Sequence, residues 1–155
     1  LVLNGLLTDM FWAAIPAIGF GMVFNLPPRL LPAVACVGAA GHGVRWLFKD
    51  VFEWSIVPAS FLGAICIGLI AVWLSRRLRA PAQMFGVAGV IPMIPGVFAF
   101  KTMLGLVGLA TSHSATDAML LDTAIHTTQT GMILGALALG IAAPALLFER
   151  HKPVV

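Results

Sequence analysis

Charged residues make up only 10% of this chain, and the short motifs that mark most enzymes are missing. There is no HExxH, no GxSxG, no Walker-type GxxxxGK(S/T) and no paired acidic motif. An ATP-driven pump is thereby excluded for this chain alone, and no nucleophile stands beside a histidine base, so the chain does not read as an enzyme. Cysteine is equally scarce. Cys36 and Cys66 fall within apolar runs without CxxC or CxxH spacing, so both read as small buried hydrophobes, with no disulfide, metal or cofactor expected. The net charge of +3 would suggest nucleic acid in a soluble protein. Here the basic residues sit beside apolar runs rather than on a face with interleaved aromatics, which makes them a topology signal and removes nucleic acid as a partner. No Lys or Arg precedes the first apolar run, and the FNLPPRLL that follows it has no small-residue cleavage site. That run therefore reads as a retained span.

What the chain does have is apolar length: 60% of its 155 residues are hydrophobic and the mean hydropathy is +1.02. The class is all-α, a polytopic helical membrane protein whose surroundings are the lipid bilayer. Residues 1–155 form a single integral membrane domain with five segments near the length of a bilayer crossing, at 6–24, 30–48, 55–74, 84–109 and 121–148. The first carries Ala13, Ala17 and Gly21 at i, i+4, i+8, a small-residue stripe that permits close helix contact. The second is the weakest, because Gly38, Gly41, Gly43, His42 and Arg45 interrupt it, and it reads either as a short span or as a re-entrant segment, leaving four. With five spans, Arg29, the Arg76, Arg77 and Arg79 cluster, and the Arg150 and Lys152 tail share one side. The positive-inside rule then places the C-terminus in the cytoplasm and the N-terminus outside.

The fourth segment is broken. In VIPMIPGVFAF, from Val90 to Phe100, Pro92 and Pro95 lack backbone N–H groups and deprive carbonyls near Ala88 and Ile91 of their helical donors, while Gly96 bends freely. In hydrocarbon those groups need new partners, from a neighbouring helix, a water, or a ligand in a protected cavity. Broken helices of this kind build substrate sites in many secondary transporters, and they also serve simply to shape packing.

Ionisable groups at membrane depth are candidates for function. His42 and Arg45, three apart in GAAGHGVR, share a helix face, and the arginine fork suits a carboxylate. Arg45 snorkelling to the interface is the plainer reading. Lys101, just past the break, completes a candidate substrate-binding set of His42, Arg45, Pro92, Pro95, Gly96 and Lys101. Asp122, His126 and Gln129, at i, i+4, i+7, form a polar stripe for proton coupling, an aqueous vestibule or partner packing, with Thr123, Thr127 and Thr130 as a second row. Asp9, Asn25 and Glu53 fall near predicted ends, where interface solvation suffices.

Five stretches together carry a resemblance: DMFWAAIPAIGFGMVFN (Asp9 to Asn25), GHGVR (Gly41 to Arg45), EWS (Glu53 to Ser55), VIPMIPG (Val90 to Gly96) and GALALGIAAP (Gly135 to Pro144). In this order the chain resembles the small subunits of two-component bacterial exporters related to the threonine/serine exporter family. The resemblance implies an inner-membrane subunit that works with a larger, separately encoded membrane subunit to export a small carboxylate, either a succinate-like dicarboxylate or threonine and serine. It supplies no substrate-binding residues. Size points to a partner as well, since about five spans make one half of a typical two-repeat carrier, the other half being a larger chain or a parallel homo-oligomer. The alternative is a structural subunit that stabilises the larger one without touching substrate.

Overall fold

The computed structural model describes residues 2–111 and 116–148, all-helical among them. The Glu149 to Lys152 tail and most of the loop between Thr111 and Asp117 lie outside the described residues. Helix α1 runs Val2–Val23, α2 Leu31–Trp46, α3 Ile56–Leu78, α4 Ala82–Val90, α5 Gly96–Thr111 and α6 Asp117–Phe148. Four continuous helical stretches are long and apolar enough to cross a bilayer, and the bent pair of α4 and α5 makes up to five. The doubtful second segment is one of the four. A 3-10 turn at Pro28–Leu30 leads into α2 and a π turn at Leu47–Val51 extends it. The continuous stretch Pro28–Val51 thus covers 24 residues. Its glycines do not end it because each lies against a neighbouring helix rather than in a turn.

Helix ends follow local chemistry. Asn25 takes a left-handed conformation (φ 56°) just past α1, which a short polar side chain tolerates, and the Leu26 N–H closes back onto the Gly21 carbonyl at 3.0 Å. Arg79 (φ 51°) ends α3 in the same way. Arg76 donates to the Phe148 carbonyl at 3.0 Å, placing positive charge at the C-terminal end of α6. Trp73 stays exposed at this end under the Arg77 guanidinium, 5.5 Å from its ring.

Small residues set the packing. Ala13, Ala17 and Gly21 are the buried residues of α1, and they face α2, where a Cβ on Gly38 would stand 2.7 Å from that of Ala17. On Gly63 of α3, a Cβ would meet the Gly41 carbonyl at 2.6 Å and the Met93 methyl at 2.7 Å. Gly140 of α6 touches Ala64, and Gly68 touches Pro144, so α6 runs parallel to α3. Phe85, Ile67, Met93, Ile133, Val34 and Val37 fill the centre. Cys36 is exposed on α2 and Cys66 half-buried, which corrects the expectation that both are buried; both are free thiols. Most large hydrophobics on α1, including Phe11 and Trp12, point outward, as a bilayer-facing surface requires.

The break lies between α4 and α5. A 3-10 turn at Ile91–Met93 lets the Ile94 N–H bond the Ile91 carbonyl at 3.0 Å, and the axis then turns by 62°. Consequently α4 sits among α2, α3 and α1, whereas α5 packs on α6 and buries none of its residues fully. The fourth predicted segment, 84–109, is therefore two helices of unequal environment. At 32 residues α6 is about 48 Å long, well beyond the hydrocarbon thickness, and its first half pairs with α5 through Gly105 against Thr123 and Gly108 against Met119.

Candidate functional site

Three side chains from α1 and α2 meet at the level of the break. The antiparallel pairing that sets Met10 on Gly43 brings Asp9 opposite His42. His42 Nδ1 is hydrogen-bonded to Asp9 Oδ2. Arg45 Nη2 lies 2.6 Å from His42 Nε2, and Arg45 Nη1 donates to the Met93 carbonyl at 3.0 Å. That carbonyl would bond residue 97 in an unbroken helix; the proline turn releases it, and Arg45 takes it up.

The direction of the chain follows from valence. A guanidinium only donates, so His42 Nε2 must be the acceptor. The ring is then neutral, with its proton on Nδ1, donating to the Asp9 carboxylate. One ordered path runs from the helix break through Arg45 and His42 to Asp9. His42 and Asp9 keep 15% and 26% of their side-chain surface accessible, because the three groups line a cleft of about 280 Å³ with Trp46, Lys49 and Asp50. Lys49 and Asp50 pair with each other at 3.0 Å near its mouth. A larger cavity of about 370 Å³, between α3, α4 and α6, is lined by Gly68, Ala71, Ala138 and Ala142, and no charged side chain among the described residues lines it. Among the described residues, no three His, Cys, Asp or Glu side chains gather as a metal site.

The other predicted residues are distributed differently. Pro92 and Pro95 frame the break, Pro95 buried, and Gly96 is exposed with open space where a Cβ would stand. Lys101 is not beside Arg45. It lines a separate cleft of about 350 Å³ with Gly105, Asp122 and Thr123 between α5 and α6. His126 lies against Phe98, ring centroids 5.8 Å apart, and 3.7 Å from the largely exposed Asp122. His126 Nδ1, Gln129 Oε1 and Thr102 Oγ1 are buried without a hydrogen-bond partner among the described residues. Thr123, Thr127 and Thr130 turn their hydroxyls back onto carbonyls of their own helix, at 2.7, 2.7 and 2.8 Å.

Asp9 is the residue that sequence reasoning misplaced. It reads as an interface residue when α1 is started near residue 6, yet α1 begins at Val2 and carries Asp9 about two turns inside. A signal was present: Asp9 precedes Ala13, Ala17 and Gly21 by the same four-residue step and so shares their inward face.

Residues 9–147 match the threonine/serine exporter family ThrE. An uncharacterized protein of Haemophilus influenzae is 44% identical over 150 residues, covering 97% of this chain and 50% of the relative. The chain thus spans about half the length of that curated relative. No solved structure matches. The matched region runs from Asp9 in α1 to the last turn of α6 and takes in the cluster at the break: the chain belongs to the threonine/serine exporter ThrE family.

Proposed function

We propose that this chain is the small subunit of an inner-membrane secondary exporter of small carboxylates, succinate-like dicarboxylates or threonine and serine, and that it works with a larger membrane subunit. The observation that carries this reading is the place of Arg45, whose guanidinium fork suits a carboxylate, at a broken helix and on an accessible cleft. The chain spans half of a longer relative, as one part of a two-part carrier would. Arg29, Arg76, Arg77 and Arg79 gather at the end of the bundle away from the cleft, so the positive-inside rule turns the cleft toward the outside and the C-terminus toward the cytoplasm. Efflux of loaded succinate, threonine and serine, followed in cells expressing this chain alone and with a larger subunit of the same family, tests the proposal. Export of one substrate only with both chains is the expected result.

One observation favours a second reading. Arg45 already has two acceptors, His42 Nε2 and the Met93 carbonyl, so it can serve to hold the break while the larger subunit makes every substrate contact. In that case Arg45→Ala lowers the yield of the assembled pair; in the exporter reading it lowers flux at normal yield.

A further inference from the structure

A titratable ring stands between the two charges of the cluster, and its bonding pattern is incompatible with a second proton. His42 accepts from Arg45 at Nε2 and donates to Asp9 from Nδ1. Protonation at Nε2 removes the lone pair that Arg45 uses and sets two cations 2.6 Å apart, so the guanidinium must leave the ring. The groups around the ring accommodate the change. From α1 the ring bonds the Asp9 carboxylate and from α2 it bonds Arg45, which the Met93 carbonyl of the break also holds; Lys49 and Asp50, and the apolar Ile56 of α3, line the same cleft. Asp9 compensates the imidazolium.

We infer that His42 couples a proton to the carboxylate: a small carboxylate bound in the cleft draws the Arg45 fork off His42 Nε2, and the ring then takes up one proton. This rests on the exporter reading of the same site. Carboxylate and proton stabilise each other's binding, and linkage makes the effect reciprocal. A dicarboxylate then binds with one negative charge fewer, and a zwitterionic amino acid with one net positive charge. Arg45 is the carboxylate ligand, and His42 acts through it as a positioning and proton-holding residue. The sign is fixed: while the empty site holds a neutral ring and the loaded site an imidazolium, carboxylate affinity falls by about tenfold for each unit of rising pH.

The experiment is calorimetric titration of succinate, threonine and serine into the purified full chain, with its larger subunit where the pair assembles, in buffers of different ionisation enthalpy. The expected result is uptake of about one proton per carboxylate bound, and an affinity that declines with rising pH. His42→Gln keeps an acceptor for Arg45 and a donor for Asp9 but cannot titrate; it is expected to bind carboxylate with no proton uptake and a flat pH profile. Wild-type binding without proton uptake, or uptake that survives in H42Q, overturns the inference and leaves the exporter reading standing. Absence of carboxylate binding at every pH removes that reading and the inference with it. If H42Q fails to fold, nitrogen NMR of the His42 ring in the wild-type chain decides the same point. The ring should change from the Nδ1–H tautomer to the doubly protonated form on saturation with succinate at constant pH, and an unchanged ring overturns the proposal.

Discussion

Two polar regions of this chain look alike in sequence and differ in their bonding. At the break between α4 and α5, Asp9, His42 and Arg45 from two helices form a directed path that ends on a backbone carbonyl, and each of the three side chains has a partner. Between α5 and α6, His126, Gln129 and Thr102 are buried with unpartnered atoms, while Lys101 and Asp122 stand in a cleft of their own. The first region is organised within this chain. The second has polar capacity that nothing within the described residues uses, where α5 lies against the first half of α6. Helical spacing identifies a polar face, but which face finds its partners is decided by the crossing of separate elements.

Substitutions distinguish the two regions. Arg45→Ala removes two charge-assisted hydrogen bonds at once and is expected to lower export by at least about 100-fold at normal membrane yield, measured as initial efflux per assembled protein. Gly63→Ala comes next. Its methyl would press on the Gly41 carbonyl and Met93, where backbone cannot yield cheaply. A loss of about 1–3 kcal/mol is expected, read as a lower melting temperature in detergent. Gly135→Ala, with open space at the same atom, is expected to stay within about 0.5 kcal/mol of the wild type. The smallest effect belongs to the α5–α6 side: Lys101→Ala and Asp122→Ala, both exposed, are expected to change export less than about threefold. A loss there as deep as that of Arg45→Ala would reverse the ranking of the two regions.

Much of the fold was legible because apolar length and small-residue spacing are local signals. The stripe of Ala13, Ala17 and Gly21 is the buried face of α1, and PMIPG is where the helix breaks. The second segment was ambiguous for a physical reason: its glycines, which weaken a lone helix, allow α1, α3 and α4 to approach it. Within the site, the shared face of His42 and Arg45 was readable from a three-residue step. The role of Asp9 was not, since it depends on the antiparallel register of α1 on α2, and neither was the Met93 carbonyl, which becomes available only when the proline turn forms. Lys101 was grouped with the break by proximity in sequence, and the 62° turn carries it to the other region.

The central claim, that the Arg45 cluster at the break is the carboxylate site, is tested most directly by comparing efflux of succinate, threonine and serine in cells expressing equal amounts of the wild-type, Arg45→Ala and Lys101→Ala chains together with the larger subunit. Export lost in Arg45→Ala and retained in Lys101→Ala is the predicted result. Wild-type export by Arg45→Ala, with normal assembly, would contradict it.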